Sequence, residues 1–136
     1  MISHPPKELQ GLIMGAIKRV YRRSPVRLKV LKDAEVRMTK TNKDGTIAKK
    51  EAVFYVCSSC HTHAKSQRSK NHPQIHIDHI DPVIPVDRPL KSWQEFLDRL
   101  FCDIDNLQCL CDVCHSEKTQ AENKLRREYK KSAKLR

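Results

Sequence analysis

The sequence predicts one small α+β domain with little apolar core. Its 136 residues fit a single domain, and segments with helical periodicity alternate with short segments typical of strands. Hydrophobic residues make up 38% of the chain and aromatic residues only 5%, so little apolar surface is available for burial. Domains of this kind commonly need disulfides or a bound metal for stability, and six cysteines are present for either purpose.

Periodicity and turn residues place four helices and four strands along the chain. The helices are expected at about 7–23, 25–35, 92–101 and 112–131, and the strands at 36–41, 52–56, 75–80 and 107–110. The first helix rests on apolar residues at helical spacing between positions 9 and 21. Ser24-Pro25 is typical of a helix start, and Ser92 with Glu95 forms a capping box for the third helix.

Turn and breaker residues separate the predicted strands. Asn42-Lys43-Asp44-Gly45 is typical of a turn between the first two strands. Residues 61–74 are polar and predict a loop. Prolines at 82, 85 and 89 predict an extended connection after the third strand, because proline supports neither helix interiors nor sheet ladders. We see no internal repeat and no domain boundary.

The charge of the chain favours an anionic partner. Formal net charge is +11 and the sequence pI is about 9.6, which nucleic acid would complement most simply. Residues 1–37 carry nine Lys or Arg against three acids, and residues 116–136 carry eight against three. Residues 78–105 reverse the sign, with seven acids against three bases. Charged runs are often only solvated, so charge alone leaves both interpretations open.

The N-terminus indicates the compartment. The apolar stretch between Leu9 and Ile17 is interrupted by Gly11 and Gly15 and lacks a cleavage site, so we expect no secretory signal. No run is long enough to span a bilayer, and we expect a cytoplasmic protein with no membrane partner. Thiols stay reduced in the cytoplasm, so paired cysteines there indicate a metal site.

Two C-x-x-C pairs, Cys57/Cys60 and Cys111/Cys114, predict a structural zinc. Zinc prefers four thiolates at tetrahedral corners, and a two-residue spacer lets one tight turn supply two of them. Two disulfides or four free core thiols are the alternatives. Neighbouring His61 and His63 could replace a ligand. The other two cysteines, Cys102 and Cys109, do not fit the spacing and are expected to be buried, inert thiols.

Further polar residues stand in a recognisable order. They are Asp78-His79 at the end of the third strand and, after a long connection, Asn106-Leu-x-x-Leu-Cys-x-x-Cys-His115-x-x-Lys118. This order resembles the HNH endonucleases, also called ββα-metal nucleases, of bacteria and their phages. The resemblance covers about residues 54–124, and the embedded cysteine pairs are similar to those of the four-cysteine zinc subclass. The first 50 residues carry no comparable signal.

The resemblance implies a role for each motif residue. His79 matches the general base that activates water, and Asn106 matches the residue that braces the loop and orients that histidine. Asp78 and His115 match the two protein ligands of a catalytic divalent metal. Neutral imidazole can accept a proton from water at pH 7, and an ion with open positions can stabilise the leaving group. Mixed oxygen and nitrogen ligands suit Mg, Mn or another divalent transition metal.

Some features depart from the commonest pattern of that family. The connection from His79 to Asn106 holds a whole helix, which we interpret as an insertion beside the site. Adjacent strand residues face opposite sides, so the chain must bend at Asp78-His79 if both are to serve one site. His76 shares a strand face with Asp78 and is either an outer contact of the site or a surface histidine. Asn123 shares a helix face with His115 and is more simply a surface residue.

The sequence therefore predicts an α+β zinc-containing domain with a ββα-metal core and an N-terminal helical region. Its parts are N-terminal helices and hairpin at 1–53, the zinc-bound core at 54–124 and a basic tail at 125–136. We expect a metal-dependent endonuclease of double-stranded DNA with possible protein partners in a phage or restriction-type system. The last helix would lie along a DNA groove with four bases near phosphates: Lys118, Lys124, Arg126 and Arg127.

Two alternatives to this function remain at this point. One is a non-catalytic zinc module that binds DNA or RNA, which would share the cysteines and the charge. Such a module would not need Asp78, His79, Asn106 and His115 in this order. The other is a nuclease subunit that is active only inside a larger complex, such as phage packaging machinery.

Overall fold

A computed structural model describes residues 6–136, and within them the chain forms four α-helices and five strands. The elements in chain order are α1 (Lys7–Arg22), α2 (Pro25–Asp33), β1 (Glu35–Met38), β2 (Ala52–Val56), β3 (His63–Ala64), β4 (Ile75–His79), α3 (Trp93–Leu100), β5 (Leu107–Cys111) and α4 (Asp112–Lys134). A short 3-10 helix, Ile104–Asn106, precedes β5. The predicted α+β class is confirmed.

The strands form two small antiparallel sheets. One sheet has the order β1-β2-β3, and the other pairs β4 with β5 from Ile75↔Cys111 to His79↔Leu107. Helix α4 follows β5 without a loop, so β4, β5 and α4 form the ββα unit that the sequence predicts. The Ser58 N–H donates to Cys109 O at 2.8 Å, and the Ile75 N–H donates to Lys65 O at 2.8 Å. These hydrogen bonds join the two sheets.

The core is small and rich in cysteine. Its buried cluster consists of Cys57, Ala64, Ile75, Cys109, Leu110 and Cys111. Helix α2 covers this cluster with Val30, Leu31 and Ala34. Because half of the buried cluster is thiol rather than hydrocarbon, the core offers little hydrophobic stabilisation, in agreement with the composition.

Most predicted elements lie where local patterns place them. The first helix and strand β2 are confirmed. Half of the predicted capping box is present: Ser92 Oγ accepts a hydrogen bond from the Glu95 N–H at 3.1 Å, but the Glu95 carboxylate accepts from the Lys91 N–H rather than from that of Ser92. Ser24 precedes α2 as expected, but its side chain makes no capping hydrogen bond.

Several boundaries differ from the sequence prediction, among them the end of β1, which lies at Met38 rather than near position 41. The expected loop at 61–74 contains β3, which pairs with the end of β2 over two residues only. A strand that short has no periodicity to detect. Helix α4 extends to Lys134, beyond the expected end near 131. No helix in residues 6–136 combines the length and hydropathy needed to cross a bilayer.

Candidate functional site

Four cysteine sulfurs converge between the two sheets. The Sγ atoms of Cys57, Cys60, Cys111 and Cys114 all lie within 4.8 Å of one another. Two sulfurs bound to zinc at about 2.3 Å with tetrahedral geometry lie roughly 3.8 Å apart, and Cys60 Sγ lies 3.7 Å from Cys111 Sγ. All six cysteines are free thiols. The four sulfurs are therefore placed so that they could hold one metal ion, and none of them is joined to another in a disulfide.

Each cysteine pair comes from a tight turn or a helix start. After β2 the chain turns so that the His61 N–H donates to Cys57 O at 2.9 Å and the Cys57 N–H donates to Thr62 O at 3.0 Å. His61 takes a positive φ of 62° to complete this turn. Cys111 ends β5 and Cys114 lies in the first turn of α4. Neither His61 nor His63 belongs to the cluster.

The thiols of this cluster differ in their tendency to ionise. Burial opposes ionisation of Cys57, but hydrogen bonds from neighbouring backbone N–H groups outweigh it and lower the pKa of its thiol to about 6. Burial raises the pKa of Cys114 to about 12 and also raises the pKa of Cys111. One thiolate therefore forms readily, whereas four adjacent thiolates require a cation among them.

Asp78 and His115 face each other where β4 packs against α4. Asp78 Oδ1 lies 3.9 Å from His115 Nε2. Asp78 Oδ2 accepts hydrogen bonds from Gln108 Nε2 at 3.0 Å and from Lys118 Nζ at 3.1 Å, so Oδ1 is the oxygen directed at His115. Two atoms that bind one ion at about 2.1 Å each can lie up to about 4.2 Å apart. The separation of 3.9 Å lies within this limit.

The environment of His115 keeps its imidazole neutral near pH 7. Burial lowers the pKa of His115, and the nearby His76 lowers it further. A neutral ring retains the lone pair that metal coordination needs.

His79 is held by the helix that the sequence suggested was an insertion. Its Nε2 lies 2.9 Å from Leu100 O, and a carbonyl oxygen only accepts hydrogen bonds, so Nε2 carries the proton. Leu100 is the last residue of α3, where carbonyls lack partners within the helix. The Tyr21 ring of α1 packs against the imidazole at 5.4 Å between centroids. Nδ1 of the neutral ring therefore carries the lone pair.

The strand remains regular through Asp78 and His79, contrary to the expected bend at that pair. The ladder to β5 continues to His79↔Leu107, which holds the two side chains on opposite faces. Asp78 faces α4 and His79 faces the end of α3. Lys118 links the two residues, because its Nζ contacts Asp78 Oδ2 and also donates to His79 O at 2.9 Å.

Asn106 fastens the chain immediately after His79. Its Oδ1 accepts from the Asp81 N–H at 2.8 Å, its Nδ2 donates to Asp81 O at 3.1 Å, and its backbone O accepts from the Ile80 N–H at 2.8 Å. The change of direction falls at Ile80 and Asp81, one residue later than expected. These contacts agree with a brace for the loop, and they act on the backbone next to His79.

The four bases predicted to contact DNA have different surroundings. Lys118 is ion-paired with Glu122 as well as Asp78. Arg126 donates to Ile84 O at 2.6 Å and to Asn123 Oδ1 at 2.9 Å. Lys124 and Arg127 are exposed. Contact of these four residues with DNA phosphates remains a prediction. Glu122 was not predicted as a partner, although its spacing of four residues from Lys118 is typical of a helical ion pair.

A second histidine and a second aspartate also border the site. His76 Nε2 lies 2.6 Å from Asp112 Oδ1, and the His76 ring stacks on the His115 ring with 4.6 Å between centroids and 9° between planes. Asp112 Oδ2 also accepts from Arg68 Nε at 2.9 Å and from the Gln74 N–H at 3.1 Å. Burial opposes ionisation of Asp112, but these hydrogen bonds outweigh it and lower its pKa to about 2. His76 is therefore not a plain surface histidine.

Comparison with protein-family models, with curated proteins and with solved structures gives no match for this chain.

Proposed function

We propose that this protein is a metal-dependent endonuclease that hydrolyses phosphodiester bonds in double-stranded DNA. The observation that supports it best is the pairing of Asp78 Oδ1 with His115 Nε2 at 3.9 Å, next to a histidine whose tautomer is fixed. The motif order resembles HNH endonucleases, and the approach of Asp78 to His115 supports the metal-binding pair that this resemblance implies. His79 lies on the other face of β4, so its role as the base rests on the resemblance. The proposal includes zinc as the ion of the four-cysteine site, because a closed shell of four thiolates is the typical structural zinc site.

His79 is the general base in this proposal. Its Nε2–H donates to Leu100 O, so Nδ1 is the nitrogen that can accept a proton from the attacking water. The hydrogen bond also stabilises the imidazolium that forms. A positioned general base typically contributes a factor of about 10²–10⁴ to the rate.

Asp78 and His115 hold the divalent ion in this proposal. When bound, such an ion stabilises negative charge on the phosphate and on the leaving oxygen. The mixed carboxylate and imidazole ligands suit Mg, Mn or another divalent transition metal. Gln108 and Lys118 orient the Asp78 carboxylate by occupying its second oxygen. Asn106 holds the loop after His79 and thereby keeps the end of β4 in place.

The test is cleavage of supercoiled plasmid by the zinc-loaded protein with a series of divalent metals, combined with calorimetric titration of Mn²⁺. His79→Ala should abolish cleavage and leave the binding of Mn²⁺ and DNA near wild type, because the base binds neither before reaction. Asp78→Ala and His115→Ala should lose Mn²⁺ binding and cleavage together. Asn106→Ala should have an intermediate effect.

Zinc content serves as the control for folding, and His63→Ala is the matched histidine control. If His79→Ala cleaved at the wild-type rate, or His115→Ala bound Mn²⁺ as tightly as wild type, these roles would belong to other residues. A wild-type protein that binds DNA but does not cleave it with any of the metals tested would favour the non-catalytic module or a subunit of a larger complex.

A further inference from the structure

The His115 ring has no protein hydrogen-bond partner among residues 6–136. A metal-binding histidine generally donates its second N–H to a carboxylate, a backbone carbonyl or water, which fixes the tautomer and the ring orientation. The contacts of the His115 ring are the 3.9 Å approach to Asp78 and the stacked ring of His76. Of these two protein contacts, the stack is the one that lies flat against the ring and can fix its orientation.

His76 is held firmly enough to fix its neighbour. Its Nε2 lies 2.6 Å from Asp112 Oδ1, and the aspartate is 15% exposed. Arg68 and the Gln74 N–H hold the other oxygen of that carboxylate. Rotation of the His76 ring would break this charge-assisted hydrogen bond. The ring is consequently a fixed surface rather than a mobile side chain.

The positions of these residues in β4 and α4 explain the stack. His76 and Asp78 are two residues apart on one face of β4. Asp112 and His115 are three residues apart on one face of α4. The two faces meet in two adjacent pairs, His76 with Asp112 and Asp78 with His115. The pair of His76 and Asp112 therefore lies directly beside the pair of Asp78 and His115.

We propose that His76, held by Asp112, is a positioning residue that orients the His115 ring for the divalent ion. This inference rests on the proposed function, since it assumes that Asp78 and His115 bind that ion. Outer contacts of this kind typically change metal affinity by a factor of about 10–100. His76 itself is not a ligand in this arrangement, because its Nε2 is occupied by Asp112.

Two substitutions separate the stack from the hydrogen bond. His76→Phe keeps a flat ring against His115 and loses the bond to Asp112, whereas His76→Gln can keep a hydrogen bond and loses the ring. Mn²⁺ affinity of the zinc-loaded full-length protein is measured by calorimetry. His76→Gln should bind Mn²⁺ about 10–100-fold more weakly than wild type. His76→Phe keeps the stacked ring without the bond that holds it, so its affinity should lie between those of wild type and His76→Gln. His72→Ala, at a histidine that packs against Phe54, is the matched control and should not change the affinity.

The cleavage assay adds a second measurement. For His76→Gln the Mn²⁺ concentration for half-maximal cleavage should rise by the same factor, and the rate at saturating Mn²⁺ should return close to wild type. Unchanged Mn²⁺ affinity of His76→Gln would overturn the inference. Complete loss of Mn²⁺ binding by both variants would also overturn it, because His76 would then be a direct ligand. A wild-type protein that binds no Mn²⁺ would instead refute the proposed function itself.

Discussion

At the scale of one residue, Lys118 is held by three contacts within the protein. Its ammonium contacts Asp78 Oδ2, Glu122 and the backbone O of His79. Its side chain is 22% exposed, against 11% for Asp78 and 17% for Glu122. Two largely buried carboxylates so close together repel each other unless a cation lies between them. Burial opposes the charge of Lys118, but its acidic partners outweigh that effect and raise its pKa.

We predict that Lys118→Met destabilises the fold. Without the ammonium, Asp78 and Glu122 lose the cation that both contact, and only the more distant Arg126, at 3.9 Å from Glu122, remains. The free energy of unfolding should fall by about 1–3 kcal/mol. Urea unfolding at pH 7 without added divalent metal measures this change. Lys124→Met, at an exposed position of the same helix, is the control and should stay within about 0.5 kcal/mol of wild type. Equal stability of the two variants would show that the internal ion pairs contribute nothing.

Helix α3 connects the site to the rest of the fold at the scale of an element. Its last carbonyl, from Leu100, holds His79. Arg99 donates to Val83 O at 2.9 Å and to Asp81 Oδ1 at 2.8 Å, so it also holds the loop that follows β4. Contacts also hold the first turn of the helix. Glu95 Oε2 accepts a hydrogen bond from the Lys91 N–H at 2.6 Å, and Glu95 is ion-paired with Arg88. The segment that resembles an insertion thus orients the proposed base.

Glu95, at the start of α3, should make the stability of the fold depend on pH. The hydrogen bond from Arg88, together with the Lys91 N–H, lowers the pKa of Glu95 from an ordinary 4.5 to about 2. A carboxyl group with a lowered folded-state pKa adds stability above its unfolded pKa, and this stability is lost as the pH falls toward the folded value. The stability advantage of wild type over Glu95→Gln should therefore be constant above about pH 5.5 and shrink between about pH 5 and pH 3.

Urea unfolding of both proteins across this range measures the difference. Both share the four-cysteine site, so acid effects on the thiols cancel when the two are compared. Glu128→Gln removes an exposed carboxylate from α4 and is the control. An advantage of wild type over Glu95→Gln that does not change with pH would contradict the argument.

At the scale of the whole molecule, we predict that a metal held by the four-cysteine cluster compensates for the small apolar core. The cysteine cluster joins the turn after β2 to the junction of β5 and α4, and so connects the two sheets. We predict that the protein contains one tightly bound zinc and that Cys57→Ser fails to fold. Apparent binding energies of structural zinc are about 10–16 kcal/mol, which matches or exceeds the total stability of a typical domain. Elemental analysis and far-UV circular dichroism test both statements.

Cys102→Ser is the matched control for this prediction, because Cys102 lies outside the cluster. It should retain both the zinc and the fold. Zinc-free protein with native circular dichroism would refute a structural role for the metal.

The parts of this molecule that were predictable from sequence are those set by local spacing. The C-x-x-C pairs, the capping box and the order Asp78-His79, Asn106, His115 are readable within short windows of the chain. The contact of Leu100 O with His79 and the stack of His76 on His115 join residues that are 21 and 39 positions apart. Such contacts depend on how elements pack, and no local pattern encodes them. The ion pair of Lys118 with Asp78 is a further such contact, between residues 40 positions apart.

The exposed bases of α4 should contribute to the salt dependence of DNA binding. Each phosphate contact that is lost lowers the magnitude of the slope of log K against log salt by about 0.9 for duplex DNA. Lys124 and Arg127 are exposed on α4, so the double variant Lys124→Gln/Arg127→Gln should reduce the slope by about 1.8 and weaken binding equally on all sequences. The double variant Lys29→Gln/Lys32→Gln removes the same charge from α2, where both lysines are ion-paired locally with Asp33 and Glu35. Its slope should match wild type if contact, rather than total charge, determines the salt dependence. Titration of a labelled duplex at several salt concentrations measures all three slopes, and equal slopes for the two double variants would show that α4 does not lie against DNA.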